Sequence, residues 1–442
     1  MPEGLTTTGI AEELRQKIAQ GQARVGILGL GYVGLPLGVE LATGGLSVTG
    51  FDLAADKVGA VNRGESYIGD IPGERLQALV KQGRLRASSD FSDLKECDAI
   101  VICVPTPLSK TKDPDLSMVV AAARSIGGNL RPGQLVVLES TTYPGTTEEL
   151  ILPILTQGDL RVGESFFLAF SPERVDPGNP RFNTRNTPKI IGGVTPQCTL
   201  VAEALYSKAV EHVIRVSSTR TAEMVKLLEN TFRSVNIGLV NEVALMCSRL
   251  GVDVWEVIGA AASKPFGFMP FYPGPGLGGH CIPIDPFYLS WKLKTLNYRA
   301  RFIELAGEVN SEMPEYVCSR IASALNDRER SVKGSQILLL GVSYKRDVDD
   351  LRESPALDIV QILEGRGAKI SYHDPHVPRF ELDGKSYTST ESLLASVRKA
   401  DLVVIVTDHS DFPYKDVVEA ASVLLDTRNA TKGITSPKIL KI

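Results

Sequence analysis

The sequence is short of most features that would mark a protein as a binder of nucleic acid, a membrane protein or a secreted scaffold. It has no excess of positive charge: 48 Lys and Arg stand against 52 Asp and Glu, a formal net charge of −4. Nucleic-acid binders need a basic face, so that class is set aside. No apolar run reaches the roughly 18–20 residues that cross a bilayer as a helix. Residues 1–24, MPEGLTTTGIAEELRQKIAQGQAR, hold no apolar signal-peptide core and read as a surface helix. Cysteine is sparse and unpaired in pattern: Cys97, Cys103, Cys198, Cys247, Cys281 and Cys318 form no CxxC. That excludes a disulfide framework and the common zinc patterns, and it favours a reduced, cytoplasmic setting with no metal.

What is present is a rhythm of strands and helices. The length of 442 residues suggests two or three domains. In RVGILGLGYVGLPLGVELA, residues 24–29 read as an apolar strand. Gly29, Gly31 and Gly34 then form G-x-G-x-x-G, and a helical pattern follows. The next strand, LSVTGFDL, ends in Asp52, 18 residues after Gly34. An acid at that place accepts hydrogen bonds from a ribose 2′-hydroxyl, and the glycines admit a pyrophosphate to a helix N-terminus. The expected cofactor is NAD, although Lys57 is near enough to tolerate an extra phosphate. Further strands are expected at 98–105, 134–140, 166–171 and 212–216, with helical stretches between them. This alternation implies an α/β fold with a parallel, doubly wound sheet.

From about 218 to 250 the pattern becomes one long helix closed by Gly251, and a second helical stretch runs from 299 to 329. At Ser335 the strand–helix rhythm restarts with SQILLLGVSYK, and a later strand ends at Asp374. The second unit echoes the first, but Gly341 is followed by Val342 and Ser343, so the glycine fingerprint is missing. It reads as a nucleotide-binding sheet adapted to another ligand. The expected domains are 1–217, a dinucleotide-binding domain; 218–331, a helical connector of a kind that often dimerises; and 332–442, the second sheet.

Between the helical stretches lies GPGLGGHCIPIDP, residues 274–286. Its glycines and prolines forbid a helix or a central strand. Five cysteines sit in strand or helix patterns and read as small buried hydrophobes. Cys281 sits instead in this loop, where glycines give access to a thiolate nucleophile. Asp285, in the same loop, could hold a water or a lysine. His280 reads as a hydrogen-bonding or substrate-contacting residue. On the long helix Lys226, Asn230 and Arg233 share one face. Their neighbours are apolar, so the face reads as enclosed, and a buried lysine must be paired or functional. Thr141 in EST, and Glu173 and Arg174 in FSPERVDPG, follow strands, where open α/β sheets bind their ligands.

Assembled, these residues resemble the UDP-glucose/GDP-mannose, or nucleotide-sugar, 6-dehydrogenase family. The resemblance runs from Arg24 onward through GLGYVGLPL, PTP at 105–107, EST at 139–141, SPERV, the K-x-x-x-N of Lys226 and Asn230, GGHCIPID, YKRDVDDLRESPA and DTRN. It implies two Rossmann-like domains joined by a long helix at a homodimer interface, NAD as cofactor and a UDP-sugar as substrate. The cysteine loop of the UDP-glucose branch more often reads G-G-S-C-x-x-K-D. GGHCIPIDP, with FGFMPFYPGPG before it, is similar to the branch acting on UDP-N-acetylhexosamines, and UDP-N-acetylglucosamine is the expected substrate, with UDP-N-acetylmannosamine or UDP-glucose as the alternatives.

By position, the resemblance makes Cys281 the nucleophile. Lys226 and Asp285 assist proton transfer, Glu173 serves hydrolysis, and Asn230 and Thr141 complete the catalytic set. Tyr32, Val33, Asp52, Lys57, Thr106, Thr141 and Arg352, with the three glycines, match cofactor positions. Arg174, Val175, Lys226, Asn230, Arg233, Tyr272, Gly278, Tyr344, Lys345 and Arg428 match substrate positions. Where many relatives carry a second acid four residues after the first, this chain has Pro177. Two rival readings share the fold: a two-electron β-hydroxyacid-type dehydrogenase that needs no cysteine, and a non-catalytic NAD-binding regulator. Cys281 with Lys226 and Asp285 separates them from the first reading.

Overall fold

The computed structural model describes residues 7–109, 113–156, 158–176, 179 and 181–442; Pro177 lies outside them. By its internal contacts the chain forms two units. One comprises Met1–Glu229 with Trp291–Asn297, the other Asn230–Ser290 with Tyr298–Ile442.

In the first unit, among the described residues, eight strands form one sheet. They are β1 (Arg24–Leu28), β2 (Ser47–Phe51), β3 (Leu85–Ser88), β4 (Ala99–Ile102), β5 (Leu135–Leu138), β6 (Phe167–Phe170), β7 (Lys189–Gly193) and β8 (Val213–Arg215). Their order is β3-β2-β1-β4-β5-β6-β7-β8. The central strands are continuous apolar runs, as expected where both faces are covered. Val25, Ile27, Val101 and Val137 enter one core; Ile100, Ile102, Val136 and Leu138 enter the other. The strand order reverses between β1 and β4, so the carboxyl ends of these two strands flank the crevice where such sheets take ligands. The helix Thr7–Ala19 buries Ala11, Leu14 and Ile18 and leaves its polar face outside.

The expectation of a wholly parallel sheet fails at one pair. β7 runs antiparallel to β6. Among the described residues the connection from 171 to 188 contains no helix, and only a crossover of about a dozen residues, usually helical, returns a strand in the parallel sense. β3 and β7 went unrecognised because each is short and carries a charged residue: Arg86 within LRAS, and Lys189 opening KIIGG.

In the second unit, among the described residues, β9 (Gln336–Leu340), β10 (Lys369–His373), β13 (Leu402–Ile405), β14 (Leu424–Asp426) and β15 (Ile439–Lys441) form a parallel sheet in the order β10-β9-β13-β14-β15. A hairpin of β11 (Arg379–Leu382) and β12 (Lys385–Thr388) accompanies it. Alternate residues of β9 and β13 again feed two cores. The long helix is observed at Thr219–Leu250 and the second at Arg301–Asn326. No helix among the described residues is long and apolar enough to cross a membrane.

Candidate functional site

The three fingerprint glycines differ in what a side chain would meet. Gly29 has a positive φ of 94°, and a Cβ there would lie 2.7 Å from the Cys103 carbonyl oxygen at the end of β4. Gly34, which opens the helix Gly34–Thr43, would put a Cβ 1.9 Å from the Gly29 carbonyl oxygen. A Cβ on Gly31 would meet nothing within 4 Å. Two glycines thus serve the turn and the packing of helix on strand, and one leaves open space at a helix N-terminus, the arrangement that accepts a pyrophosphate. Tyr32 is exposed and Val33 half-buried beside it. Asp52 follows β2; its Oδ2 accepts the Leu30 N–H and its Oδ1 the Ala54 N–H, both at 2.9 Å. Each oxygen keeps a second lone pair for a ribose hydroxyl. Lys57 Nζ lies 3.9 Å from Asp52 Oδ2, so its charge is directed to this acid. These residues fit a dinucleotide.

Thr106, Thr141 and Glu173 follow β4, β5 and β6 in turn. The Ser140 hydroxyl donates to the Val104 carbonyl at 2.7 Å and ties the ends of β4 and β5 together. Glu173 Oε1 accepts the Arg174 and Val175 N–H groups at 2.8 and 2.6 Å, and Oε2 accepts from Lys189 Nζ at 3.0 Å. Burial alone would raise the Glu173 pKa; the Lys189 charge and the Val175 N–H outweigh it and bring it down to about 2. The buried Lys226 ammonium donates to the Glu173 carbonyl at 2.5 Å. Arg174 turns its guanidinium to Glu229 at 2.5 and 3.2 Å and to the Pro188 carbonyl at 2.6 Å.

Behind Glu173 lies a cluster that sequence reasoning missed. Lys189 Nζ also donates to Glu139, and Glu139 in turn accepts from the Tyr206 hydroxyl. All three side chains are buried. Burial pushes Glu139 up to about 7 against the pull of Lys189. Burial would lower the Lys189 pKa, but the two carboxylates hold it above its ordinary value. Glu139 was visible in EST, where it reads only as a strand end. The signal for Lys189 is a lone lysine at the head of an apolar run.

In the second unit the Gly/Pro segment is packed against the final third of the chain. Gly279 donates its N–H to the Arg352 carbonyl at 2.9 Å. Cβ atoms on Gly278 and Gly279 would stand 2.5 and 2.9 Å from the Tyr344 side chain, and one on Gly274 would stand 2.6 Å from the Arg428 guanidinium. Close approach favours glycine at all three positions, and at Gly279 a positive φ of 85° favours it as well. Of the six cysteines, Cys281 is half-buried and the other five are buried. The segment does not stay a loop to its end: a helix spans Asp285–Lys294, so Asp285 sits in the first helical turn. Asp285 is buried and accepts the Asn230 side-chain amide at 2.5 Å.

Arg233, expected on the same enclosed face as Lys226 and Asn230, is exposed, whereas the other two are buried. Helix geometry does not separate them, since seven residues past Lys226 is about 700°, within about 20° of two full turns; the difference is that Arg233 is left uncovered. Tyr272 is exposed and stacks on Trp255 at 6.2 Å. Arg352 is exposed and paired with Asp350 at 2.6 Å. His280 lies close enough to Asp350 for its charge to act there. Arg428 donates to the Val406 carbonyl at 3.0 Å, and burial lowers its pKa. Tyr344 and Lys345 follow β9.

The second sheet repeats the first in part. Gly341 follows β9 as Gly29 follows β1, with φ 77° and a Cβ position 2.4 Å from the Thr407 carbonyl oxygen. Asp374 stands where Asp52 stands, but it is buried and accepts from Val342, Ser343, His376 and Val377 N–H groups and from His409. With its oxygens consumed in this way, Asp374 holds the protein together and has little left for a ribose.

Comparison with known proteins adds independent findings. The NAD binding domain of the UDP-glucose/GDP-mannose dehydrogenase family matches residues 23–210, its central domain residues 220–312 and its UDP binding domain residues 338–433. The UDP-N-acetyl-D-glucosamine 6-dehydrogenase of Pseudomonas aeruginosa is 35% identical over 391 residues, 88% of this chain and 91% of that protein. The NDP-N-acetyl-D-galactosaminuronic acid dehydrogenase of Ralstonia nicotianae is 38% identical over 422 residues, 91% and 95% of the two chains. The solved structure of the UDP-D-ManNAc dehydrogenase of Pyrococcus horikoshii superposes with a TM-score of 0.86 at 35% identity, covering 95% of this chain and 99% of that one.

Proposed function

This chain belongs to the UDP-glucose/GDP-mannose dehydrogenase family, and we propose that it oxidises the C6 hydroxymethyl of UDP-N-acetylglucosamine to the uronate with NAD⁺. The observation that carries this reading is Cys281, the one cysteine of six that is not buried, in a segment pinned by Tyr344, Arg352 and Arg428.

Going from a primary alcohol to a carboxylate removes four electrons, and each bound NAD⁺ accepts two of them as a hydride. The aldehyde must therefore be retained between the two transfers. The Cys281 thiolate adds to the aldehyde carbon, giving a thiohemiacetal whose carbon loses the second hydride and becomes a thioester. Lys226, a buried cation, stabilises the oxygen at each tetrahedral stage. Asp285, held by Asn230, accepts or orients a proton. Glu173 serves the water that cleaves the thioester. In the dinucleotide half, Gly31 leaves room for the pyrophosphate and Asp52 takes the ribose. Arg428, Lys345 and Tyr344 serve the nucleotide-sugar on a chain of net charge −4, where local cations must supply the attraction.

Self-association is part of the proposal. Phe232, Leu239, Met246 and Leu250 on the long helix, and Phe302 and Leu305 on the helix Arg301–Asn326, are large, apolar and exposed. Such patches mark interfaces, and a second copy of the chain is the proposed occupant.

The test is a panel of UDP-N-acetylglucosamine, UDP-N-acetylmannosamine, UDP-N-acetylgalactosamine and UDP-glucose, with NADH counted per molecule of substrate consumed. The proposal expects two NADH and the highest kcat/KM on UDP-N-acetylglucosamine. One NADH per substrate would replace it with a two-electron dehydrogenase. A higher kcat/KM on another sugar would move the substrate and leave the chemistry.

A further inference from the structure

We propose that Lys189 and Glu139 form a buried proton relay behind Glu173, so that the proton released by the hydrolytic water comes to rest on Glu139. The proposal rests on the reading of Glu173 as the hydrolytic group, and it addresses a difficulty in that reading. Three donors already hold Glu173: the N–H groups of Arg174 and Val175 on Oε1 and the Lys189 ammonium on Oε2. A carboxylate stabilised in this way, with its pKa near 2, returns a proton to water far more readily than it keeps one. Alone it is a poor base.

The antiparallel strand β7 supplies what is missing. Phe170 of β6 pairs with Gly192 of β7, and continuing that register brings Lys189 level with Glu173. β5 lies on the other side of β6, Leu138 opposite Phe170, so Glu139 emerges level with Ser171, one residue beyond Phe170 on the same side of the sheet end as Glu173. Lys189 Nζ, with 4% of its side chain exposed, therefore touches both carboxylates. The groups facing Glu139 are Lys189 from β7, Tyr206 from the helix Pro196–Tyr206, Cys103 from the end of β4, and Glu173. Lys226 on the long helix adds its charge at Glu173. Two carboxylates share one ammonium at the heart of the cluster, which leaves it one negative charge in excess with both phenol and thiol neutral. It can take one proton, and Glu139 is the member with the highest carboxylate pKa, near 7.

The step balances. A water oxygen bonds to the thioester carbon, and one of its protons passes to Glu173. Lys189 gives an ammonium proton to Glu139 and takes the one on Glu173, remaining an ammonium. The C–S bond breaks with its electron pair on Cys281, which leaves as thiolate. The carboxylic acid product then loses its remaining proton to solvent. Lys189 and Glu139 act through Glu173 and are positioning residues.

The experiment follows single-turnover deacylation by rapid quench and intact mass. The substrate is whichever of the three UDP-N-acetylhexosamines is turned over fastest. In the wild-type protein, deacylation should rise with pH to a plateau with a midpoint near 7, as Glu139 becomes available to take the proton. In Glu139→Gln the acyl-enzyme should accumulate, deacylation should fall about 100-fold, and the pH limb near 7 should vanish. The two-NADH burst should remain, and KM should fall together with kcat so that kcat/KM stays within about twofold. A merely structural Glu139 would lower the melting temperature and leave the limb in place, overturning the relay. Wild-type deacylation that is flat from about pH 5.5 to 8.5 would overturn it without any variant. Glu173→Gln separates the two proposals. If Glu173→Gln deacylates normally, the hydrolytic reading of Glu173 fails and takes the relay with it. If only Glu139→Gln deacylates normally, the relay alone is lost.

Discussion

Replacing Gly34 and Gly31 separately with alanine should divide what the glycine fingerprint does for folding from what it does for the ligand. A Cβ on Gly34 would lie 1.9 Å from the Gly29 carbonyl oxygen and 3.0 Å from Ile27 Cγ2. A relaxed C···O contact is roughly 3.3 Å, so the overlap is about 1.4 Å, and the obstacle is backbone that cannot rotate away. The helix Gly34–Thr43 would have to lift from β1, taking with it the buried Leu35, Leu37 and Val39. Overpacking of this kind costs about 1–3 kcal/mol. In a protein unit of this size each kcal/mol shifts the melting temperature by about 2–4 °C, so Gly34→Ala should melt roughly 5–10 °C lower. Gly31 is the opposite case. Its φ is not positive, and a Cβ would meet nothing within 4 Å. Alanine fits there and restricts the unfolded chain, a gain of about 0.4–1 kcal/mol. Its methyl would, however, occupy the space left for the pyrophosphate. Gly31→Ala should melt at or slightly above the wild-type temperature and bind NAD⁺ at least tenfold more weakly, a loss of about 1.4 kcal/mol. Calorimetric melting without ligand and titration calorimetry with NAD⁺ check the pair. If Gly31→Ala binds NAD⁺ within twofold of wild type, or Gly34→Ala melts with the wild type, the division of roles is wrong.

Cys281→Ser should retain NAD⁺ binding but lose turnover by several orders of magnitude, stalling after one oxidation or as an acyl-enzyme detectable by intact mass, because a hydroxyl is a poor nucleophile at neutral pH; near wild-type four-electron oxidation would make the thiol structural. Kinetics with both cofactors should give a higher kcat/KM for NAD⁺ than for NADP⁺, since Asp52 repels a 2′-phosphate, and Asp52→Asn should narrow the ratio by about tenfold; equal wild-type values would mean that Lys57 outweighs Asp52. Light scattering at micromolar concentration should show at least a dimer, and Leu239→Glu with Phe302→Glu should weaken it; a fully active wild-type monomer would refute the interface. The depressed pKa of Glu173 makes a stabilising contribution that is fully present above its unfolded value of about 4.3 and is lost as pH falls from there towards 2. Urea midpoints should accordingly drop through that window, and Glu173→Gln should flatten the drop.

Strand and helix existence was legible where one physical pattern dominated. The buried strands of both sheets are unbroken apolar runs because both faces are covered. The long helix and its glycine stop follow from 3.6-residue periodicity. Gly29, Gly31, Gly34 and Asp52 could be given ligand roles because their local order along the chain already specifies a strand, a turn and a helix N-terminus. Cys281 stood out for a similar reason: no regular element tolerates so many glycines and prolines around one thiol.

Other features required distant residues to meet. That Gly278 and Gly279 exist to admit the Tyr344 side chain, and that Asp374 is spent on five internal donors and so cannot serve as Asp52 does, depend on contacts between segments 30 or more residues apart or on a loop whose path no periodicity encodes. Arg233 left the enclosed face because helical spacing gives a direction but not a neighbour to cover it. The charge cluster shows the division most plainly. Glu139, Glu173 and Lys189 are ordinary charged residues in the chain, and local sequence determines only that the first two follow strands, while it places Lys189 in no element. The antiparallel turn of β7 beside β6 decides that one ammonium lies between two buried carboxylates; burial in the packed sheet pushes Glu139 up, while Lys189 and the Val175 N–H pull Glu173 down against the same burial, and so their pKa values part.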